Sequence, residues 1–476
     1  MSLKTYLSVL VFSFFMVANN PIVFAQTIGT NDGDTPIRPY SENPWYWEYN
    51  GKAVILFGGS DDDNLFQWTG RELTDQLDLL SSLGGNYVRN TMSDRDEGDV
   101  YAFEEVREGV YDLDEWNSEY WNRLRFFLEE TSKRDIIVQL TLWDHFDLYD
   151  RHPWASNINI EPDVVEDDDD FYGGSVYQNK EKVLTYQQRY IDKLLSITLQ
   201  YGNVLYNMNN EGNERAEWDN YWASYITERA EEQGLKIYVT SMKFDPSSSV
   251  RHAMTFRDLY SYAEISQNNQ DSRGGRGPAH YENIVDWRKK LQGDPMPMNN
   301  VKIYGSGVGA NYSAGTQKEA IARFWRNIFA GSASSRFHRP EGGWGIGLES
   351  AAQTNIKAMD MLLEQFDIFS ASPHNDLLSS SVALSDAAME AYCLADIGDQ
   401  YAIYFPAGRY TIDLDPWVFV DELRVRWLNI DEGTWSSEEL VPVEWEGGLS
   451  QWGHRARVRL TTPGNESYVV LLEAVE

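Results

Sequence analysis

Asn210 and Glu211 set an amide and a carboxylate side by side at the end of the apolar run Val204-Leu205-Tyr206-Asn207-Met208. The run reads as a short strand, and the loop that receives it, Asn209-Asn210-Glu211-Gly212-Asn213, is polar. Such a pair suits sugar chemistry. An amide can hold a hydroxyl while the neighbouring carboxyl passes a proton to the glycosidic oxygen. That role predicts a Glu211 kept protonated, its pKa raised by burial or a nearby acid. Two adjacent residues decide little by themselves, so their meaning depends on the elements that carry them.

Those elements alternate. Ala53-Val54-Ile55-Leu56-Phe57 is a continuous apolar run of the kind found in strands covered on both faces, and Leu73 to Leu83 follows with helical spacing. The same cycle recurs at 87–89 with 115–133, 136–142 with 185–200, and 204–208 with 214–233. A fifth strand is predicted at 236–242. Three more follow at 260–265, 301–304 and 335–338, with helices at 281–291, 317–330 and 352–366. Eight cycles predict an α/β fold, a (β/α)8 TIM barrel, over residues 26–380. An open doubly wound sheet is the rival, but Gly58-Gly59-Ser60-Asp61-Asp62-Asp63 would repel a phosphate. From about residue 390 short strands follow one another without helices. They predict a small all-β sandwich over 385–476.

In a barrel the reactive groups stand where strands end. The rim then offers Arg89 after the second strand, Trp143, Asp144 and His145 after the third, and Asn210 and Glu211 after the fourth. Asn268 follows the sixth strand, and Arg336, His338 and Arg339 belong to the eighth. We read Asn210, Arg89, Trp143, His145, Asn268, Arg336, His338 and Arg339 as substrate-binding and Glu211 as the general acid/base. The second carboxyl is expected from Asp144, with Glu349 and Glu341 on the glycine-rich loop after strand eight as the other candidates. The basic groups suit a uronate or sulfated saccharide, since an arginine grips an anion through two parallel bonds. The plainer alternative pairs Arg89 with acids inside the barrel and packs His338 as a ring.

Gly85-Asn86-Tyr87-Val88-Arg89 and Asn210-Glu211 resemble the superfamily of retaining glycoside hydrolases built on (β/α)8 barrels. Tyr49-Asn50-Gly51-Lys52, Tyr404-Phe405-Pro406-Ala407-Gly408 and Arg426-Trp427 look more narrowly like the apiosidase-like proteins. Those join such a barrel to a C-terminal sandwich labelled a collagen-binding domain. The resemblance implies that Glu211 is the acid/base and that Asn210 holds the hydroxyl beside the scissile bond. It also implies a nucleophilic glutamate at the end of strand seven. Here that stretch reads Lys302-Ile303-Tyr304-Gly305-Ser306-Gly307, with Gly307 where the carboxylate is sought.

Composition sets the remaining bounds. A net charge of −34 disfavours nucleic acid and anionic membranes as partners. Aromatic residues make up 14% of the chain, enough to line a sugar cleft as well as a core. The lone Cys393 excludes an internal disulfide framework. Residues 1–25 read as a secretory leader cleaved near Ala25, so the protein is expected outside the cytoplasm. No cofactor or metal is expected: the histidines lack ligand spacing, and Asp61, Asp62 and Asp63 read as a solvated run. The expected function is hydrolysis of a polysaccharide or oligosaccharide. The alternatives are a barrel that binds sugar without cleaving it and a polysaccharide lyase.

Overall fold

Parallel strands follow one another in chain order, each bonded to the next. Leu56–Gly59 is the first, and its side-chain neighbour Asn86 ties it to the second, Tyr87–Thr91, by accepting from Phe57 N (3.0 Å) and donating to Ile55 O (3.0 Å). Tyr87–Thr91 pairs with Ile137–Asp144, which pairs with Val204–Asn210, which pairs with Val239–Thr240. Ser261 N to Val239 O (3.0 Å) leads on to Ala263–Glu264, which pairs with Met298–Asn299. Ala333 N to Met298 O (2.8 Å) and the Ile303–Phe337 bridge reach Ser334–Phe337. That strand pairs with Leu56–Gly59, so the path returns to its start. The coordinates are a computed structural model that describes residues 35–475 except 95, 145–151, 162–170, 173–175, 177–180, 213–214, 273–276, 307–314, 380–389, 419 and 447–454. The leader, the acidic run 166–170, His145 and Gly307 therefore lie outside the described residues.

Helices fall between the strands: Gly70–Ser82, Ser118–Ser132, Glu181–Thr198, Ala216–Glu231, Pro246–Thr255, Gly277–Leu291, Gln317–Phe329 and Ser350–Leu363. The helix Pro246–Thr255 was not expected. Its signal was present, since Asp245 caps it by accepting from Ser247 N (3.0 Å) and Pro246 opens its first turn. Residues 110–116, read in part as helix, instead form the strand Val110–Trp116, paired antiparallel with Phe103–Arg107.

Side chains alternate across a strand, so every second residue enters the ring. Leu56, Tyr87, Ile137, Leu205, Met242, Tyr262 and Val301 share a core there with Trp47 from the N-terminal hairpin. Above them the filling turns polar. Trp47 Nε1 donates to Asn299 Oδ1 (3.0 Å), Asn299 Nδ2 to Tyr87 OH (3.0 Å), and Tyr87 OH to Gln139 Oε1 (2.5 Å). Gln139 Nε2 in turn donates to the buried Glu264 (2.7 Å). This network fixes the height at which the next layer of side chains begins.

Two antiparallel sheets follow. One runs Ser372–Pro373, Tyr392–Asp396, Gln400–Phe405, Tyr468–Ala474, Glu422–Asn429, Thr434–Trp435; the other Leu378–Ser379, Thr411–Leu414, Arg455–Thr461, Glu444–Glu446. They draw on residues from 372 onward, ahead of the predicted start at 385. Tyr401, Ile403 and Phe405 face the space between the sheets with Cys393, Leu414 and Val458. Ala402 and Tyr404, one residue out of phase, join the larger core with helix Gln317–Phe329. Trp325 stacks on Tyr404 at 5.3 Å, and its Nε1 donates to Asn355 Oδ1 (2.7 Å). Trp325→Ala is expected to cost about 3–5 kcal/mol, the range for removing a fully buried aromatic. A urea midpoint within error of the parent would show that this contact holds nothing. No helix among the described residues is long and apolar enough to cross a membrane.

Candidate active site

Above the Gln139–Glu264 layer the ring carries charges. Asp63, expected in solvent, is buried. Arg89 Nη1 donates to its Oδ2 (2.8 Å), Arg336 Nη1 lies 3.4 Å from its Oδ1, and His338 Nδ1 lies 3.3 Å from the same oxygen. Burial alone would raise the Asp63 pKa, but Arg89, His338 and Arg336 bring it well below the usual carboxylate range. Arg336 also donates to Ser60 Oγ and Val301 O. Both guanidinium groups are fully buried and share the one Asp63 carboxylate. They serve the ring interior and do not reach out to an anionic ligand, which corrects the substrate-binding role given to Arg89 and Arg336. Arg339 is similarly engaged, with Glu341 (2.6 Å), Asp96 (3.3 Å) and Asp63 (3.8 Å). Burial pushes the His338 pKa down to about 4, so its imidazole is neutral at pH 7.

The fourth strand delivers Asn210 into this layer. Its side-chain oxygen accepts from Arg89 Nη2 (2.9 Å) and Lys302 Nζ (2.6 Å), and its Nδ2 donates to Asp144 Oδ1 (2.8 Å). With three of its bonds made inside the protein, Asn210 positions its neighbours. Glu211 follows with φ 57°, the left-handed backbone that costs a non-glycine residue about 1–3 kcal/mol and gathers at functional sites. That turn sends its side chain to Lys302, whose ammonium bonds Glu211 Oε1, while Tyr304 OH lies 3.4 Å from the same oxygen.

Lys302 overturns the expected protonation. Burial favours a neutral Glu211, but the Lys302 charge and hydrogen bond, with Arg89 and His338, lower its pKa below the ordinary value. Glu211 is therefore a carboxylate at neutral pH, not the standing acid that the sequence suggested. Burial and the Arg89 charge lower the Lys302 pKa, against the pull of Glu211. Tyr304 is held protonated, its pKa raised by burial and by Glu211.

The other expected residues disperse. Trp143 is buried in an aromatic cluster with Trp222 (5.1 Å), Phe171 (5.3 Å) and Tyr190 (5.5 Å), not open to a sugar face. Asn268 is fully buried, bonded to His280 O (2.8 Å) and Asn283 (2.9 Å). Glu349 is an exposed N-cap residue of Ser350–Leu363, and Glu341 is exposed beside Arg339. Asp144 alone among the carboxyl candidates is tied to the Glu211 group, through Asn210. Beside it, a cavity of about 20 Å³ between Asp94, Trp143, His152 and Tyr172 has room for a water, not a pyranose. The reading missed Asp63, Lys302, Tyr304 and the half-buried Trp344, whose ring lies 5.3 Å from Tyr304. A lysine between Val301 and Ile303, inside a strand pattern, was the available signal.

The chain resembles several solved glycoside hydrolase structures. A family 5 glycoside hydrolase from Bacteroides vulgatus superposes with TM-score 0.62 at 13% identity, over 92% of this chain and 93% of that one. A second glycoside hydrolase gives TM-score 0.61 at 12% identity, over 92% and 96%. These two likenesses show a shared fold. An alpha-amylase from Geobacillus thermoleovorans is a more distant likeness, with TM-score 0.55 at 11% identity over 89% and 99%. No protein-family model matches the sequence, and no curated protein matches it. At these identities the likeness concerns the fold alone.

Proposed function

We propose that the chain is a (β/α)8-barrel glycoside hydrolase that takes a polysaccharide or oligosaccharide at the rim around Glu211, with Glu211 as the base that activates water. The supporting observation is the position of Glu211 at the rim end of the fourth strand, ionised by Lys302. Asp144, across the Asn210 amide, is the second carboxyl of this reading. The half-buried Trp344, packed beside Tyr304, supplies a ring for the sugar face. A single displacement fits better than a double one. The seventh strand brings an ammonium to Glu211, whereas a retaining enzyme needs a nucleophilic carboxylate about 5–5.5 Å from its acid/base. On this reading the chain works outside the cytoplasm, with residues 1–25 as the leader that the sequence suggests.

The test is release of new reducing ends from a panel of neutral and uronate oligosaccharides, beside a titration of binding. Glu211→Gln is expected to lose about 10²-fold or more in rate while still binding, the usual scale of acid–base help. Near-normal turnover in that variant would remove Glu211 from the mechanism. A second reading, saccharide binding without cleavage, is favoured by the ammonium on Glu211 Oε1, where a catalytic water would need a lone pair. Saturable binding with no new reducing ends across the panel selects it.

A further inference from the structure

Hydrolysis by Glu211 leaves the Lys302 amine without a chemical task. It is the less exposed member of the pair, its side chain 3% open against 12% for Glu211. Its nitrogen is held from two sides, by Asn210 Oδ1 (2.6 Å) and by Glu211 Oε1, and Tyr304 OH stands 3.4 Å from that same carboxylate oxygen. A nucleophilic amine needs a base to take its proton and an acid to protonate the oxygen it displaces. The carboxylate and the phenol stand where both steps need them.

We propose that Lys302 forms a covalent imine with an aldehyde, the open-chain form of a reducing sugar being the class that a saccharide rim would deliver. The proposal rests on the saccharide reading only for the identity of the ligand. Glu211 takes one proton from the Lys302 ammonium, and the freed lone pair attacks the carbonyl carbon. A C–N bond forms and the carbonyl oxygen, protonated by Glu211, becomes a carbinolamine hydroxyl. The carbinolamine nitrogen then returns a second proton to Glu211, which passes it, assisted by Tyr304, to the hydroxyl; that leaves as water and a protonated imine remains. The sum is ammonium plus aldehyde to iminium plus water, with no oxidant or reductant. The lowered Lys302 pKa helps the first transfer, since less free energy is needed to empty the nitrogen of its extra proton.

The experiment treats the intact protein with D-glyceraldehyde and sodium borohydride near pH 7 and maps the reduced adducts by peptide mass. One adduct per chain, on Lys302 and ahead of the exposed lysines, is expected. Lys302→Arg, which keeps the positive charge beside Glu211, should lose that adduct while melting as a folded protein. Glu211→Gln should slow adduct formation about tenfold or more, as expected for loss of a general base. Adducts confined to exposed lysines, with none on Lys302 in a folded protein, overturn the proposal. A methyl glycoside, which has no free aldehyde, separates the two ideas. Its binding with no Lys302 adduct from glyceraldehyde leaves the saccharide site standing and removes the imine. A Lys302 adduct without glycoside binding does the reverse.

Discussion

Asp63→Asn is expected to lower the unfolding free energy by about 3–5 kcal/mol, the scale for breaking a buried ion group by removing one partner. The substitution keeps the shape and removes the one negative charge that Arg89 and Arg336 share, both of them fully buried. Arg89 would still donate to Asn210, and Arg336 to Val301 O, so the hydrogen bonds are partly kept while the charge is not. With typical stabilities of about 5–15 kcal/mol, the loss is large enough to see in a urea titration at pH 7. A control at the surface sets the scale. Asp75, paired with Arg71 in a fully solvated i,i+4 arrangement, should tolerate the same change within about 0.5 kcal/mol. Equal midpoints for the two variants would show that the Asp63 cluster is no keystone of the ring.

The same cluster explains why a charge-rich layer can sit inside the ring of strands. Each layer is built on the one below: Trp47 and the apolar ring carry Asn299, Tyr87, Gln139 and Glu264, and these carry Arg89, Asp63 and Arg336. Asn210 then links this layer to Lys302 on one side and Asp144 on the other. Glu211 is consequently carried on a layer whose arginines and Asn210 are held by bonds inside the protein. A preorganised carboxylate is what water activation or proton abstraction needs, since little reorganisation is left for the reacting step.

Much of the fold could be read from apolar runs and helical spacing, because Ile137–Asp144 and Val204–Asn210 are buried along their whole length. Boundaries suffered where the ring is filled by polar residues. The fifth strand was expected over 236–242, but only Val239–Thr240 pairs, and the sixth shrinks to Ala263–Glu264. The sequence puts Glu211 at the end of a fourth strand, and Val204–Asn210 ends directly before it. Its protonation was not legible. That depends on Lys302, 91 residues away, and nothing in the local pattern says which strand-end side chain will touch it. Asp63 failed for the same reason. Three consecutive aspartates look solvated until strands two and eight place Arg89 and Arg336 against the last of them.

Lys302→Met should reverse the way stability depends on pH. In the parent, the folded-state pKa of Glu211 lies below its unfolded value, so the ionised Glu211 contributes stability above that unfolded value, about 4.3, and the contribution fades as pH falls further. Removing the ammonium leaves burial, the largest single influence on Glu211, to set its pKa, which then rises above the unfolded value. A carboxyl of that kind contributes fully below about pH 4.3 and loses its contribution as pH climbs through the raised folded value. At pH 7 the variant is expected to be about 3–5 kcal/mol less stable, the cost of an uncompensated buried charge. Near pH 4 the gap should narrow to the smaller cost of the lost bonds to Asn210 and Glu211. Adding Glu211→Gln to Lys302→Met removes the stranded charge and should recover most of the loss at pH 7. A gap that stays constant from pH 7 to pH 4, or a double variant no better than Lys302→Met alone, would show that Glu211 does not depend on Lys302 for its charge.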